Sequence, residues 1–116
     1  MSPAAVVVHD LGEAKAALKA ARGAGRPVVL LSAPGAAQVL GPAVWREMIA
    51  EAARAEPGAA FDAILDCGQD LGAALAALRA GVKSIALDAP AEVFAKVSDI
   101  AKQLDATVYA HRPDHG

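Results

Sequence analysis

Two hydrophobic periods alternate along this chain. Five short runs are almost continuously apolar and rich in β-branched residues: "AAVVVHD" (4–10), "PVVLLSA" (27–33), "FDAILDC" (61–67), "SIALDA" (84–89) and "TVYAH" (107–111). Runs of this length and composition read as buried strands. Between them apolar residues return every three or four positions, as on the inner face of an amphipathic helix. Over 91–106, Val93, Val97, Ile100 and Leu104 form one stripe, and Glu92, Lys96, Asp99 and Lys102 face away. Over 42–55 the stripe is Trp45, Met48, Ile49 and Ala52, opposite Arg46, Glu47, Glu51 and Arg54. Over 11–22 it is Leu11, Leu18 and Ala21, opposite Glu13, Lys15, Lys19 and Arg22. Gly23, Gly25, Gly58 and Gly81 fall at expected helix ends, where a left-handed cap suits glycine.

The order is βαβαβαβαβ in a single α/β domain over 1–116. Apolar strands joined by helices predict a five-stranded parallel sheet with right-handed crossovers. We expect a three-layer α/β/α sheet, Rossmann-like or flavodoxin-like. Strand order 3-2-1-4-5 would place two helices on each face and the wholly apolar first and second strands at the centre. Order 2-1-3-4-5 would place three helices on one face and one on the other. A fragment of a βα barrel, with strands in sequential order, is the alternative.

The helix in "DLGAALAALRAG" carries no polar side chain between Asp70 and Arg79. A solvated surface helix normally shows a charged face. Either this one is buried on both sides or its alanine face meets another subunit, and we expect a homodimer contact through residues 70–80.

Composition narrows the function. The 116 residues are 55% hydrophobic and only 3% aromatic, so the core is built from Val, Leu, Ile and much Ala. The net charge is −2, with no basic stripe and few aromatic platforms, which argues against nucleic-acid binding. The single cysteine forms no internal disulfide and suits a reducing cytoplasm. The first residues lack the basic region of a secretory signal, and no apolar run approaches the roughly 18 residues of a membrane span.

Ligands of open α/β sheets bind beyond the carboxyl ends of the strands. Here those ends carry His9 and Asp10, Ser32, Asp66 and Cys67, Asp88, and His111 and Arg112, and the loop 32–41 after the second strand contains Gly35. Asp10, Ser32, Gly35, Asp66, Asp88 and His111 are therefore the candidate ligand-binding set. Structural duties compete for several of them. Asp10 opens "DLGE", a capping box with Glu13, and Asp70 precedes "LGAAL" as a helix cap. Asp88 stands before "APAE", with Pro90 in the first turn, and is also expected to cap. Ser32 would organise its own turn, and Cys67 reads as an inert core residue. Asp66 has no evident structural duty and is the strongest functional candidate. The last residues, "RPDHG" (112–116), are expected to be frayed, and the competing reading of His111 and Arg112, near this chain end, is that they are simply solvated.

Several chemistries are excluded. The chain has no phosphate-binding G-x-x-x-x-G-K-[ST], no G-x-G-x-x-G after the first strand and no G-x-S-x-G elbow. Lys83 precedes the fourth strand, so a Schiff-base aldolase would lack its amine at the carboxyl edge. Apart from a loose pair, His111 and His115, the histidines are not at metal-ligand spacing, so no metal site is expected and no cofactor is identified.

An Asp after the first strand, an Asp ending the third and a basic residue followed by Pro after the fifth are Asp10, Asp66 and Arg112–Pro113. In this the chain resembles the phosphoacceptor receiver domains of bacterial signalling. The resemblance implies phosphoryl acceptance by Asp66, Mg²⁺ held by acids of the first strand and a phosphate contact from the basic residue. His9 stands where that pattern has a second acid, Arg112 replaces its Lys, no Ser or Thr ends the fourth strand, and a fifth helix is lacking. Such a relative requires Asp10 and Asp66 to be adjacent. The sequence thus leads to a small module that binds a small ligand or a protein partner without turnover. The alternatives are a small enzyme with Asp66 as acid or base, assisted by Asp10, Ser32 or His111, and a degenerate receiver.

Overall fold

Each apolar run becomes a strand and each periodic segment a helix in the computed structural model, which describes residues 3–114. The order is β1 (Ala4–Val7), α1 (Leu11–Ala24), β2 (Val28–Leu31), α2 (Ala36–Val39), α3 (Pro42–Ala55), β3 (Phe61–Asp66), α4 (Leu71–Arg79), β4 (Ser84–Ala86), α5 (Ala91–Gln103) and β5 (Thr107–Tyr109). The one-turn helix α2 lies in what the sequence presents as loop. Helix ends follow local chemistry. Asp10 caps α1 by accepting from the Glu13 N–H, and α1 runs past Gly23 to stop at Gly25, whose φ of +66° only glycine adopts without strain. Pro42 opens α3 at its first turn, where a missing N–H costs nothing.

The five strands are parallel and lie in the order β1-β2-β3-β4-β5. Val6 pairs with Leu30, Leu30 with Ala63, Leu65 with Ile85, and Ile85 with Val108. Right-handed crossovers that always step to the next strand in one direction put every helix on the same face. The helices accordingly pack in chain order, α1 on α3, α3 on α4 and α4 on α5. The barrel-segment alternative therefore describes this α/β fold. The orders 3-2-1-4-5 and 2-1-3-4-5, and the helices on both faces that a three-layer sheet requires, are not what the chain adopts.

The main core lies between sheet and helices. Val8, Leu30, Leu65, Ile85 and Leu87 meet Leu18, Trp45, Ala52, Ala77, Leu78 and Val97 there. Among the described residues no helix covers the opposite face. Its centre is Leu31, Ile64 and Ala86, with Val7 and Val29 against them. Asp62, Ser84 and Tyr109 share this face by strand alternation and pairing. Ser84 Oγ donates to Asp62 Oδ1 (2.7 Å), and the Tyr109 hydroxyl donates to Asp62 Oδ2 (3.0 Å). Burial and the Asp62 carboxylate push the Tyr109 phenol above its ordinary pKa.

Position in the helical layer explains two departures from the periodic reading. Helix α4 lies between α3 and α5, with α2 also against it, and Ala74, Ala77 and Leu78 are buried within its own chain. Its lack of charge therefore has an account without a partner. Helix α5 is the last in the layer. Its stripe buries Val97 and Ala101 but leaves Ile100 40% and Leu104 42% exposed, because α4 flanks only one of its sides. No helix among the described residues is long and apolar enough to cross a membrane.

Candidate functional site

The parallel strands bring their polar carboxyl ends to one edge. There the segments after β3, β4 and β5 enclose a cleft of about 470 Å³, lined by Asp66, Gly68, Gln69, Asp88, His111 and Arg112 among others. Three of the six sequence candidates, Asp66, Asp88 and His111, meet in this cleft.

Asp66 turns out to have a structural duty after all. It is only 6% exposed, and its Oδ2 accepts the Gly35 N–H at 2.6 Å. A short bond to a carboxylate is stronger than a neutral one. It holds the turn before α2 across the sheet from β2 to β3. Gly35 sits at φ +65°, so the turn itself requires glycine. Ser32 completes the anchor: its Oγ accepts the Asp66 N–H (2.9 Å) and donates to the Ala33 carbonyl (3.0 Å). Ser32 and Gly35 thus reach the site through Asp66 rather than as lining residues.

Asp88 was expected to cap a helix and does not. Pro90 occupies the α5 cap and no side chain bonds there. The Asp88 Oδ2 instead accepts from Gln69 Nε2 (3.2 Å), and the Asp88 N–H donates to the Gly68 carbonyl (2.8 Å). The carboxylate is left exposed at the mouth of the cleft.

Arg112 corrects the expected fraying at its own position, whereas residues 115 and 116 of that segment lie outside the described residues. Its Nη2 donates to the Ser32 carbonyl at 2.9 Å, so the segment after β5 reaches back across β4 and β3 to the end of β2. Its Nε is buried, with no hydrogen-bond partner among the described residues. Gln69 and Arg112 are the site residues that the sequence reading did not select. The signal for Gln69 was its place in the turn after β3. Arg112 was marked by its place after the fifth strand, but nothing local gave its partner, which lies 80 residues earlier in the chain. His115, the second member of the loose histidine pair, lies outside the described residues.

Asp10 does not join the cleft. Its Oδ1 accepts the Glu13 N–H (2.8 Å), and Glu13 Oε1 in turn accepts the His9 N–H (2.7 Å) and bonds the His9 ring at 3.0 Å. Strand β2 separates β1 from β3, so Asp10 and Asp66 stand two strands apart. The adjacency that a receiver-like phosphorylation site needs is not formed. Asp70 is the cap that the sequence predicts, with Oδ1 accepting the Ala73 N–H at 2.9 Å. The Gln38 amide on its other oxygen, aided by that N–H, holds its carboxyl below the usual range.

Cys67 is buried, and its thiol is pushed up to about 12, first by burial and then by the charges of Asp66 and Asp70. Such a thiol stays protonated and unreactive. Thiol titration with a chromogenic disulfide at pH 8 should find no accessible sulfur in the native protein and one after denaturation. Fast native labelling would show that the end of β3 opens.

The family model for class-II fructose-bisphosphate aldolase matches residues 2–113. No curated protein and no solved structure matches the chain. The match covers nearly the whole chain, so the chain belongs to the class-II fructose-bisphosphate aldolase family. That is a family of βα barrels, in agreement with the sequential sheet.

Proposed function

We propose that this member of the class-II fructose-bisphosphate aldolase family binds a small polyhydroxylated molecule, a sugar or sugar phosphate, in the carboxyl-edge cleft without cleaving it. The observation that carries the reading is the composition of that cleft. Asp66 and Asp88 supply acceptors for hydroxyl groups, and Gln69, His111 and Arg112 supply donors for hydroxyl, carbonyl or phosphate oxygen.

Aldol cleavage needs an electrophile to draw electrons from the carbonyl as the carbon–carbon bond breaks. A class-II enzyme uses a divalent cation as that Lewis acid. The donors of this chain do not suit one. Among the described residues no three His, Cys, Asp or Glu side chains are grouped to hold a metal. Cys67, next to Asp66, is buried in the core and does not line the cleft. His9 bonds Glu13 at the β1 end. A Schiff base is no substitute, because Lys83 precedes β4 at the opposite edge and its Nζ donates to the Leu104 carbonyl (3.1 Å). The enzyme reading, with Asp66 as acid or base, is further weakened by the commitment of its Oδ2 to Gly35.

The test combines melting curves with turnover. Fructose 1,6-bisphosphate, its triose phosphate products and simple sugars are added to wild type, Asp66→Asn and Arg112→Ala. A binder of the folded state at a hundredfold excess over Kd adds about 2.7 kcal/mol of stability. A melting shift with at least one of these compounds in wild type, lost in both variants, is expected, with no cleavage of fructose 1,6-bisphosphate with or without added Zn²⁺ or Co²⁺. Metal-dependent cleavage, or shifts unchanged by the substitutions, would overturn the proposal.

A further inference from the structure

A second pocket lies away from the carboxyl-edge cleft, on the helical side of the sheet. Helix α3 has 14 residues and α4 only 9, and the layer opens beside α3 where α4 stops. The opening measures about 330 Å³. That is at the small end of ligand pockets, which run upward from about 300 Å³. One wall is α3, through Trp45, Ile49 and Ala53 at four-residue spacing. The others are the start of β3, at Phe61, and the turn at Gly81 that leads into β4. No α4 residue lines it.

Two of the chain's four aromatic residues, Trp45 and Phe61, meet at this opening. Trp45 is 2% exposed, yet its indole N–H has no acceptor among the described residues. A buried indole N–H ordinarily finds one. This one is not sealed from solvent, and the opening that its side chain lines is the pocket. Arg46 spans the mouth from α3 to the turn before β4. Its Nη1 donates to the Ala80 carbonyl (2.5 Å), and a Cβ added at Gly81 would stand 3.6 Å from that nitrogen. Its Nη2 pairs with Glu47 (3.0 Å), which does not itself line the pocket. The remaining N–H groups of the guanidinium stay available to an acceptor. The one acid on the lining is Asp62. Its carboxylate is turned to the other face of the sheet, where Ser84 and Tyr109 hold it. The pocket is thus an apolar, partly aromatic hollow with cationic and neutral donors and no carboxylate directed into it.

We propose that this pocket binds an aromatic carboxylate. The ring enters among Trp45, Ile49 and Phe61, and the carboxylate accepts from Arg46 and from the indole N–H. Apolar burial holds the ring, and the charge-assisted bond decides which end of the ligand faces the mouth. No residue lines both this pocket and the carboxyl-edge cleft, so the site is independent of the sugar reading.

Titration followed by nuclear magnetic resonance tests this. The chain has one tryptophan, so a ¹⁵N-labelled sample gives a single indole N–H signal from the site itself. The probe is 2-naphthoate, and 2-naphthamide supplies the same ring without the charge. In wild type the indole and Gly81 signals should move saturably with naphthoate. Arg46→Ala should weaken naphthoate about tenfold, the usual loss for one bond to a charged group. The amide should bind wild type about tenfold more weakly than the acid does, and should bind Arg46→Ala no more weakly than wild type. Ala53→Leu, which fills the pocket with another good helix former, should abolish the shifts. Asp66→Asn, in the other cleft, should leave them unchanged. If Arg46→Ala fails to fold, Ala53→Leu and the acid–amide comparison still decide. No saturable shift in wild type, equal affinity for acid and amide, or binding that survives Ala53→Leu would overturn the proposal. Loss of the shifts in Asp66→Asn would also overturn it, by placing the ligand in the carboxyl-edge cleft.

Discussion

Replacing Trp45 by alanine should lower the stability of this protein by about 3–5 kcal/mol, the usual cost of deleting a buried aromatic. Trp45 is 2% exposed and is the largest fully buried side chain. In a chain whose residues are only 3% aromatic, it fills the space between α3 and the sheet that alanines cannot. Small domains hold about 5–15 kcal/mol in total, so this one change would remove a large share. Val44 is the control, because it neighbours Trp45 on α3 and is 55% exposed. Val44→Ala should stay within about 0.5 kcal/mol of wild type in the same urea titration. Equal effects at the two positions would mean that α3 does not pack as described.

Asp66→Ala should cost about 2–3 kcal/mol and loosen the β2–α3 connection. A hydrogen bond to a charged group is worth about 1.5–3 kcal/mol, and its loss leaves the Gly35 N–H without an acceptor. Hydrogen exchange should report the local part of this effect as a larger acceleration at the Gly35 amide than at the β4 and α5 amides, which follow only the loss of global stability. Asp66→Asn keeps an oxygen that can accept from Gly35 but loses the charge, so it should cost less, about 1 kcal/mol. The two variants thereby separate the support of the loop from any part in ligand binding. A stability of Asp66→Ala equal to wild type would show that the short bond to Gly35 does not hold the turn.

The elements were legible because their signals are local. Strand runs, helical stripes, the caps at Asp10 and Asp70 and the glycine at the end of α1 are written within a few residues of where they act. Site residues were legible only in part. Asp66, Asp88 and His111 were placed at one edge because strand ends in a parallel sheet share it, but Asp66 was given no structural duty and Asp88 a wrong one. Asp66 was read as idle, although it holds Gly35 across the sheet, and Asp88 was read as a cap, although the turn at Pro90 leaves α5 without one. Arg112 was set aside as frayed because its partner, the Ser32 carbonyl, is far away in sequence.

By itself the sequence determined a parallel α/β chain with the polar ends of its strands at one edge, since periodicity, right-handed crossover and strand polarity follow from backbone sterics and local burial. Strand order was decided only by the tertiary structure. The same five strands and their connecting helices satisfy local rules in sequential or crossed order, and the choice rests on long-range packing. That choice put all the helices on one face, left Ile100 and Leu104 exposed at one end of the layer, and set Asp10 two strands away from Asp66.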